Sequence, residues 1–155
     1  MKTITLYSII ISSLVLLTSC SQTEQTSNKI FEKGQKVTQN FTGETWVQML
    51  TVDGENFDAM SYNVTFAAGS RTYWHSHPGG QILYCLSGEG RYQEKDGAIR
   101  SLKAGDVIEI KPDVVHWHGA GPDMEFVHLG ISTRLSEGPA NWYGPVTDEE
   151  YNNQK

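Results

Sequence analysis

The stretch Gly69-Ser-Arg-Thr-Tyr-Trp-His75-Ser-His77-Pro-Gly-Gly-Gln81, answered some 35 residues later by His116-Trp-His118, decides how this chain folds. All five histidines lie in these two segments or at His128, just beyond them. Successive strand residues point to opposite faces, so His75, His77 and, past the Pro-Gly-Gly turn, Gln81 project to one side. His116, His118 and His128 project inward from two further strands in the same way. Burying five imidazoles and an amide without partners costs roughly 1–3 kcal/mol for each unsatisfied group, which together rivals the roughly 5–15 kcal/mol net stability of a typical domain. A divalent cation removes most of that cost, and the pattern therefore predicts a metal site inside a small β-barrel rather than a hydrogen-bonded polar core.

On both sides of these segments, runs rich in β-branched and aromatic residues alternate with Gly, Asp and Pro, and no long stretch has helical periodicity. The pattern is all-β, with no internal repeat. Residues 45–52 read as an early strand. Ala59-Met-Ser-Tyr-Asn-Val-Thr-Phe66 alternates, placing Met60, Tyr62, Val64 and Phe66 on one buried face that walls the pocket. Residues 91–95 and 98–102 flank Asp96-Gly97, a dipeptide suited to a tight hairpin, which is expected outside the site. Ala104-Gly105-Asp106 introduces a strand over 107–110, Pro112-Asp113 turns the chain, and 114–118 returns it inward. A strand over 125–132 follows, in which Phe126, His128, Gly130 and Ser132 face the cavity and Gly130 leaves space for a ligand. Trp142 and Tyr143 are expected to cover an outer face. Thr147-Asp-Glu-Glu150 fits a capping box and predicts one short terminal helix.

The first 19 of the 155 residues have the form of an export signal. Lys2 supplies a positive charge, Ile9 to Leu17 an apolar run, and Leu17-Thr18-Ser19-Cys20 ends with a small residue before cysteine, as in a bacterial lipoprotein signal with Cys20 as the lipidation point. Residues 20–29 are polar and suit a flexible tether. The domain begins near Ile30 and runs to residue 155, enough for one modest core. Losing residues 1–19 removes only Lys2, leaving 11 basic against 18 acidic side chains, a balance of −7 that disfavours nucleic acid as a partner. Once Cys20 is lipidated, Cys85 is the one remaining thiol, so no internal disulfide is expected. Its apolar neighbours Ile82, Leu83, Tyr84 and Leu86 predict that Cys85 packs in the core. The expected location is the cell envelope, facing the periplasm or in the outer membrane, with Ser21 compatible with outer-membrane sorting.

The histidine segments resemble the two cupin motifs. Gly69, His75-x-His77, Gln81 and Gly88 match the first in residue and spacing, and Gly105-Asp106, Pro112 and His116 match the second in part. Two departures stand out: Gln81 replaces the usual Glu, and the second motif lacks its Gly two residues after Pro112 and has Ala120 in place of a common Asn. The resemblance implies an all-β fold, a single jelly-roll (double-stranded β-helix) barrel with a short C-terminal helix. A narrower resemblance rests on Arg71-Thr72, Trp74-His75-x-His77-Pro78, Gly80-Gln81, His116-Trp-His-Gly-Ala120, His128-Leu129 and Val146-Thr-Asp-Glu149-x-Tyr151. It is to small bacterial cupins that include manganese-dependent hydroxynitrile lyases.

That likeness implies His75, His77, Gln81 and His116 as metal ligands, and His118 and His128 as active-site histidines. Strand alternation, independently of the likeness, puts Tyr62, Val64, Phe66, Phe126 and Ser132 on the wall of the substrate pocket. Neutral imidazoles and an amide leave a divalent ion its full +2 charge, which favours an anionic ligand; ligand type admits manganese, iron, copper, nickel or zinc, with manganese implied by the resemblance. The expected activity is carbon–carbon cleavage of small cyanohydrins, with His128 or His118 as base. An iron- or copper-dependent dioxygenase and a non-catalytic ligand-binding lipoprotein are the alternatives. The outward parity of Ile82, Tyr84 and Leu86, with the resemblance, implies a homodimer.

Overall fold

The computed structural model describes residues 30–51 and 54–153. The expected export signal and tether, and Val52 at the end of the first expected strand, lie outside them. The strands are β1 (Gln35–Val37), β2 (Phe41–Thr42), β3 (Thr45–Met49), β4 (Ala59–Phe66), β5 (Arg71–Thr72), β6 (Trp74–Ser76), β7 (Gln81–Glu94), β8 (Arg100–Lys103), β9 (Val107–Ile110), β10 (His116–Ala120), β11 (Phe126–Thr133) and β12 (Asn141–Gly144). Short helices follow β3 (α1, Gly54–Phe57) and end the fold (α2, Asp148–Asn152), with a 3-10 turn at Leu135–Glu137.

These strands wrap into a nearly closed antiparallel barrel whose two walls share one long strand. The first half of β7 pairs with β9 and β11, and β11 continues through β4 and β3 to β1. Its second half pairs with β8 and β10, and β10 is joined by β5 and β6. The strand passes from one wall to the other at Gly88, which has φ +77° and where a Cβ would stand 1.8 Å from the Glu125 carbonyl oxygen. Only glycine fits there.

Inward residues of both walls meet in a core built around Val64, Phe66, Leu83, Cys85, Ile108 and Phe126. Cys85 packs there as the sequence predicts, and burial pushes its thiol up to about 11. A second cluster of Trp74, Trp117, Val146 and Tyr151 lies under α2. The capping box is present, with Glu150 N–H donating to Thr147 Oγ1 and Thr147 N–H to Glu150 Oε2. Tyr151 then donates to the Ala120 carbonyl at 2.8 Å and is faced by the guanidinium groups of Arg71 and Arg91.

The sequence-based boundaries shift by one or two residues at the strands expected over 114–118 and 125–132, found at His116–Ala120 and Phe126–Thr133, and also in two other places. The first expected strand ends at Met49, and the strand after Asp96-Gly97 begins at Arg100, because Asp96 (φ 65°) and the turn from Glu94 to Gly97 leave a longer connection than a two-residue hairpin. In β4, Val64 and Phe66 are buried as expected, whereas Met60 and Tyr62 are only half-buried. Asn63 and Thr65 of the opposite parity are buried too. The N-terminal segment covers that face, Asn63 Nδ2 donating to the Glu32 carbonyl.

Candidate metal centre

Three parts of the barrel deliver the histidines to one place. β6 presents His75, with His77 just beyond it; β10 presents His116 and His118; β11 presents His128. His75 and His116 are register partners across β6 and β10, and Gln81 and Ser132 are partners across β7 and β11. All five imidazoles and Gln81 are buried. Ring centroids lie 4.2 Å apart for His75 and His116, 5.1 Å for His75 and His77, 5.2 Å for His75 and His118, and 4.8 Å for His118 and His128. The convergence inferred from strand parity is therefore present.

The hydrogen bonds divide the five. Nδ1 of His75 meets the Tyr73 carbonyl at 2.9 Å, Nδ1 of His77 the Pro139 carbonyl at 2.6 Å, and Nδ1 of His116 the Val114 carbonyl at 2.9 Å. A carbonyl only accepts, so each Nδ1 carries the hydrogen and each Nε2 is left with a lone pair. His118 has no such bond, both its ring nitrogens being buried without a partner, as is His77 Nε2, and the buried His128 ring has the Leu129 backbone beside it. Proximity divides the histidines differently: one ring nitrogen from each of His75, His116 and His118 lies within 4.8 Å of the others.

At the centre His116 Nε2 stands 3.1 Å from Gln81 Oε1. With the His116 hydrogen on Nδ1, two acceptors face each other with no proton between them. Burial lowers the basicity of every imidazole, with the neighbouring histidines adding to it at His75, His116 and His118; His116 and His128 are each brought to about 4. Protonation therefore does not relieve the contact at neutral pH. The Nε2 atoms of His75, His77 and His116 and the Gln81 amide oxygen are acceptors gathered in one buried cluster, and His116 Nε2 and Gln81 Oε1 meet without a proton between them, which is the chemistry of a cation site, so the residues fit a divalent metal.

Beside this cluster lies a cavity of about 230 Å³ with mainly apolar walls. Tyr62, Val64 and Ser132 line it, as the sequence implies, together with His75, His77, Gln81 and His118. Phe66 and Phe126 do not reach it. Both are fully buried and pack against His128, and Phe66 also meets His118 edge-on at 5.8 Å, so they back the histidines rather than a ligand. Gly130 is also reassigned: a Cβ there would lie 2.4 Å from the Tyr62 ring, so the glycine makes room for tyrosine and not for a ligand.

Trp142 departs most from expectation. Instead of covering an outer face, it lines the cavity and stacks on His75 at 4.7 Å with the planes 27° apart. Tyr143 behaves as expected, being exposed with its hydroxyl 3.1 Å from Ser76 Oγ. The segment before Trp142 supplies further contacts that periodicity does not announce: Pro139 and Ala140 line the cavity, and the Pro139 carbonyl orients His77. Phe41, Val47 and Met49 from the N-terminal strands complete the apolar wall. Their apolar character is the one signal the sequence offers.

Comparison with known proteins agrees with this architecture. The cupin domain family model matches residues 62–129. The chain is 39% identical over 111 residues to the (R)-mandelonitrile lyase of Granulicella tundricola, covering 72% of this chain and 85% of that protein. It is 57% identical to a cupin-like protein of Thermotoga maritima whose crystal structure superposes with a TM-score of 0.77, over 80% of this chain and 95% of the other. A cupin 2 conserved barrel domain protein of Rhodopseudomonas palustris, at 16% identity and a TM-score of 0.58 over 75% of this chain and 78% of the other, shares the fold.

Proposed function

The chain belongs to the cupin family, and from that membership we propose that it is a metal-dependent carbon–carbon lyase of the hydroxynitrile lyase kind, acting on small cyanohydrins and the matching carbonyl compounds. The observation that carries the reading is the arrangement of acceptors: Nε2 of His75, His77 and His116 and the Gln81 amide oxygen belong to one buried cluster, and none of these four atoms carries a hydrogen. Its likeness to a mandelonitrile lyase supports the reaction class.

Metal-ligating histidines almost always give their other N–H to a carbonyl or carboxylate, which fixes the tautomer and the ring. His75, His77 and His116 have that bond, so with Gln81 they would hold the cation. His118 lacks it and lines the cavity, which suits a group that must accept and return a proton. When bound, a divalent cation, manganese in our reading, would supply Lewis-acid stabilisation of the negative charge that develops as the bond breaks. The residues do the rest. The apolar walls exclude water and seat the organic part of the substrate. His118, neutral because it is buried, takes the hydroxyl proton; the oxygen electron pair forms the carbonyl as the carbon–carbon bond breaks; and the imidazolium returns the proton to the departing cyanide. His128, edge-on to His118 and behind it, keeps that ring in place.

The test is the metal content of the chain from Ser21 onward beside His75→Ala, both purified without added metal or chelator. About one manganese per chain, lost in the variant, together with cyanohydrin cleavage, is the expected result. Iron or copper with substrate-dependent oxygen uptake would replace the lyase with an oxygenase. Metal-free protein that resists reloading and binds ligand without turnover would leave a ligand-binding barrel. We further propose export and anchoring through lipid on Cys20, checked by loss of the membrane fraction in Cys20→Ala.

A further inference from the structure

We propose that Tyr62 is a positioning residue that decides which end of the Gln81 amide faces the metal. The inference rests on the metal reading above. An amide has two ends of nearly equal size and opposite chemistry: its oxygen can ligate a cation, whereas its NH2 group cannot. Beside the Gln81 amide is the lone pair of His116 Nε2, and an unrestrained amide would turn its NH2 toward it. That turn would make a good hydrogen bond and remove a ligand.

The structure holds the amide the other way. Gln81 Nε2 donates to the Tyr62 hydroxyl at 2.6 Å, and the hydroxyl lies 2.8 Å from Ser132 Oγ. With its oxygen accepting from Gln81, the phenol gives its own hydrogen to Ser132, so the chain of bonds has a direction. Ser132 Oγ lies 3.4 Å from His77 Nδ1, whose hydrogen it also faces. With the amide nitrogen engaged, Oε1 is presented to His116 at 3.1 Å. The backbone prepares this arrangement: Tyr62 is the register partner of Gly130, whose missing side chain admits the ring, while Gln81 and Ser132 are partners on the adjoining pair of strands.

A positioning role separates from packing in a double-mutant cycle. The measurement is the manganese(II) affinity of the purified protein, by competition with a fluorescent chelator. In Tyr62→Phe, which keeps the ring, affinity is expected to fall about 10–100-fold, the range for loss of a group that orients a ligand. Glutamate has two equivalent oxygens and needs no orienting, so in the Gln81→Glu background the Tyr62→Phe penalty shrinks to a few-fold. The melting temperature of the metal-free proteins controls for folding; if Tyr62→Phe does not fold, Ser132→Ala tests the same relay and is expected to weaken affinity in the Gln81 background alone. Unchanged affinity in Tyr62→Phe, or an equal penalty in both backgrounds, overturns the inference while leaving the metal site standing. A wild-type protein that binds no metal overturns both.

Discussion

His118 differs from His75, His77 and His116 in lacking a carbonyl for Nδ1, and His128 lies behind it, away from the cavity. Their variants should therefore fail differently. His118→Ala is expected to retain metal and lose about 10²–10⁴-fold in cyanohydrin cleavage, the usual contribution of a positioned acid–base group. His128→Ala, which removes the ring behind it, should retain metal and lose less. Elemental analysis beside steady-state rates checks both, and loss of metal in His118→Ala would move that residue into the ligand set, where the proximity of its nitrogens to those of His75 and His116 already puts it.

The same residues make the metal-free protein acid-sensitive. His116 and His128 are each lowered to about 4 by burial, against an ordinary value of 6.5 in the unfolded chain. The unfolded state therefore binds protons first as pH falls. The stability these groups contribute is full above pH 6.5 and declines as pH drops toward 4, by on the order of 3 kcal/mol for each. Urea midpoints of chelator-treated protein should fall steadily across that window. A flat profile would mean the imidazoles are not buried as found.

Between the 3-10 turn and α2, the segment carrying β12 pairs with β6 and so reaches the site along the edge of the barrel. It is anchored at one end by Ser136, whose backbone and hydroxyl bond the Asp58 carboxylate. At the other end, buried Arg71 donates to the Val146 carbonyl and to Asp148. Between these anchors Pro139 holds His77 and Trp142 stacks on His75. Trp142→Ala should open the cavity and leave His75 less constrained. A rise in KM for the tested cyanohydrin, larger than any fall in kcat, with metal retained at saturating concentration, is the expected result, and unchanged kinetics would return Trp142 to the outer face where sequence reading put it. The element's role was illegible because β12 is short, its residues are mostly exposed, and no period marks one side of it as inward.

At the scale of the molecule, the outer surface of the β7–β9 wall carries Tyr84 beside its register partner Val107, both exposed, with Ile82 and Leu86 half-buried on the same strand face. We propose this wall as the face on which two copies pair. Light scattering should then give twice the mature chain mass, and Tyr84→Glu should shift it to one copy without loss of metal. A wild-type monomer would remove the proposal and leave the enzyme reading untouched.

Strand parity is a local property, set by the alternation of side chains along extended backbone, so the sequence by itself determined the all-β class, the capped final helix and the inward set His75, His77, Gln81, His116, His118 and His128. It also pointed to a cation as the partner for so many buried imidazoles. The division of labour among them was decided by tertiary structure alone. Which Nδ1 finds a carbonyl depends on backbone arriving from elsewhere, as Pro139 does for His77 across 62 residues. The roles of Gly130 and Trp142, and the direction of the Gln81 amide, likewise follow from contacts between segments distant in the chain, and no pattern within a single segment encodes them.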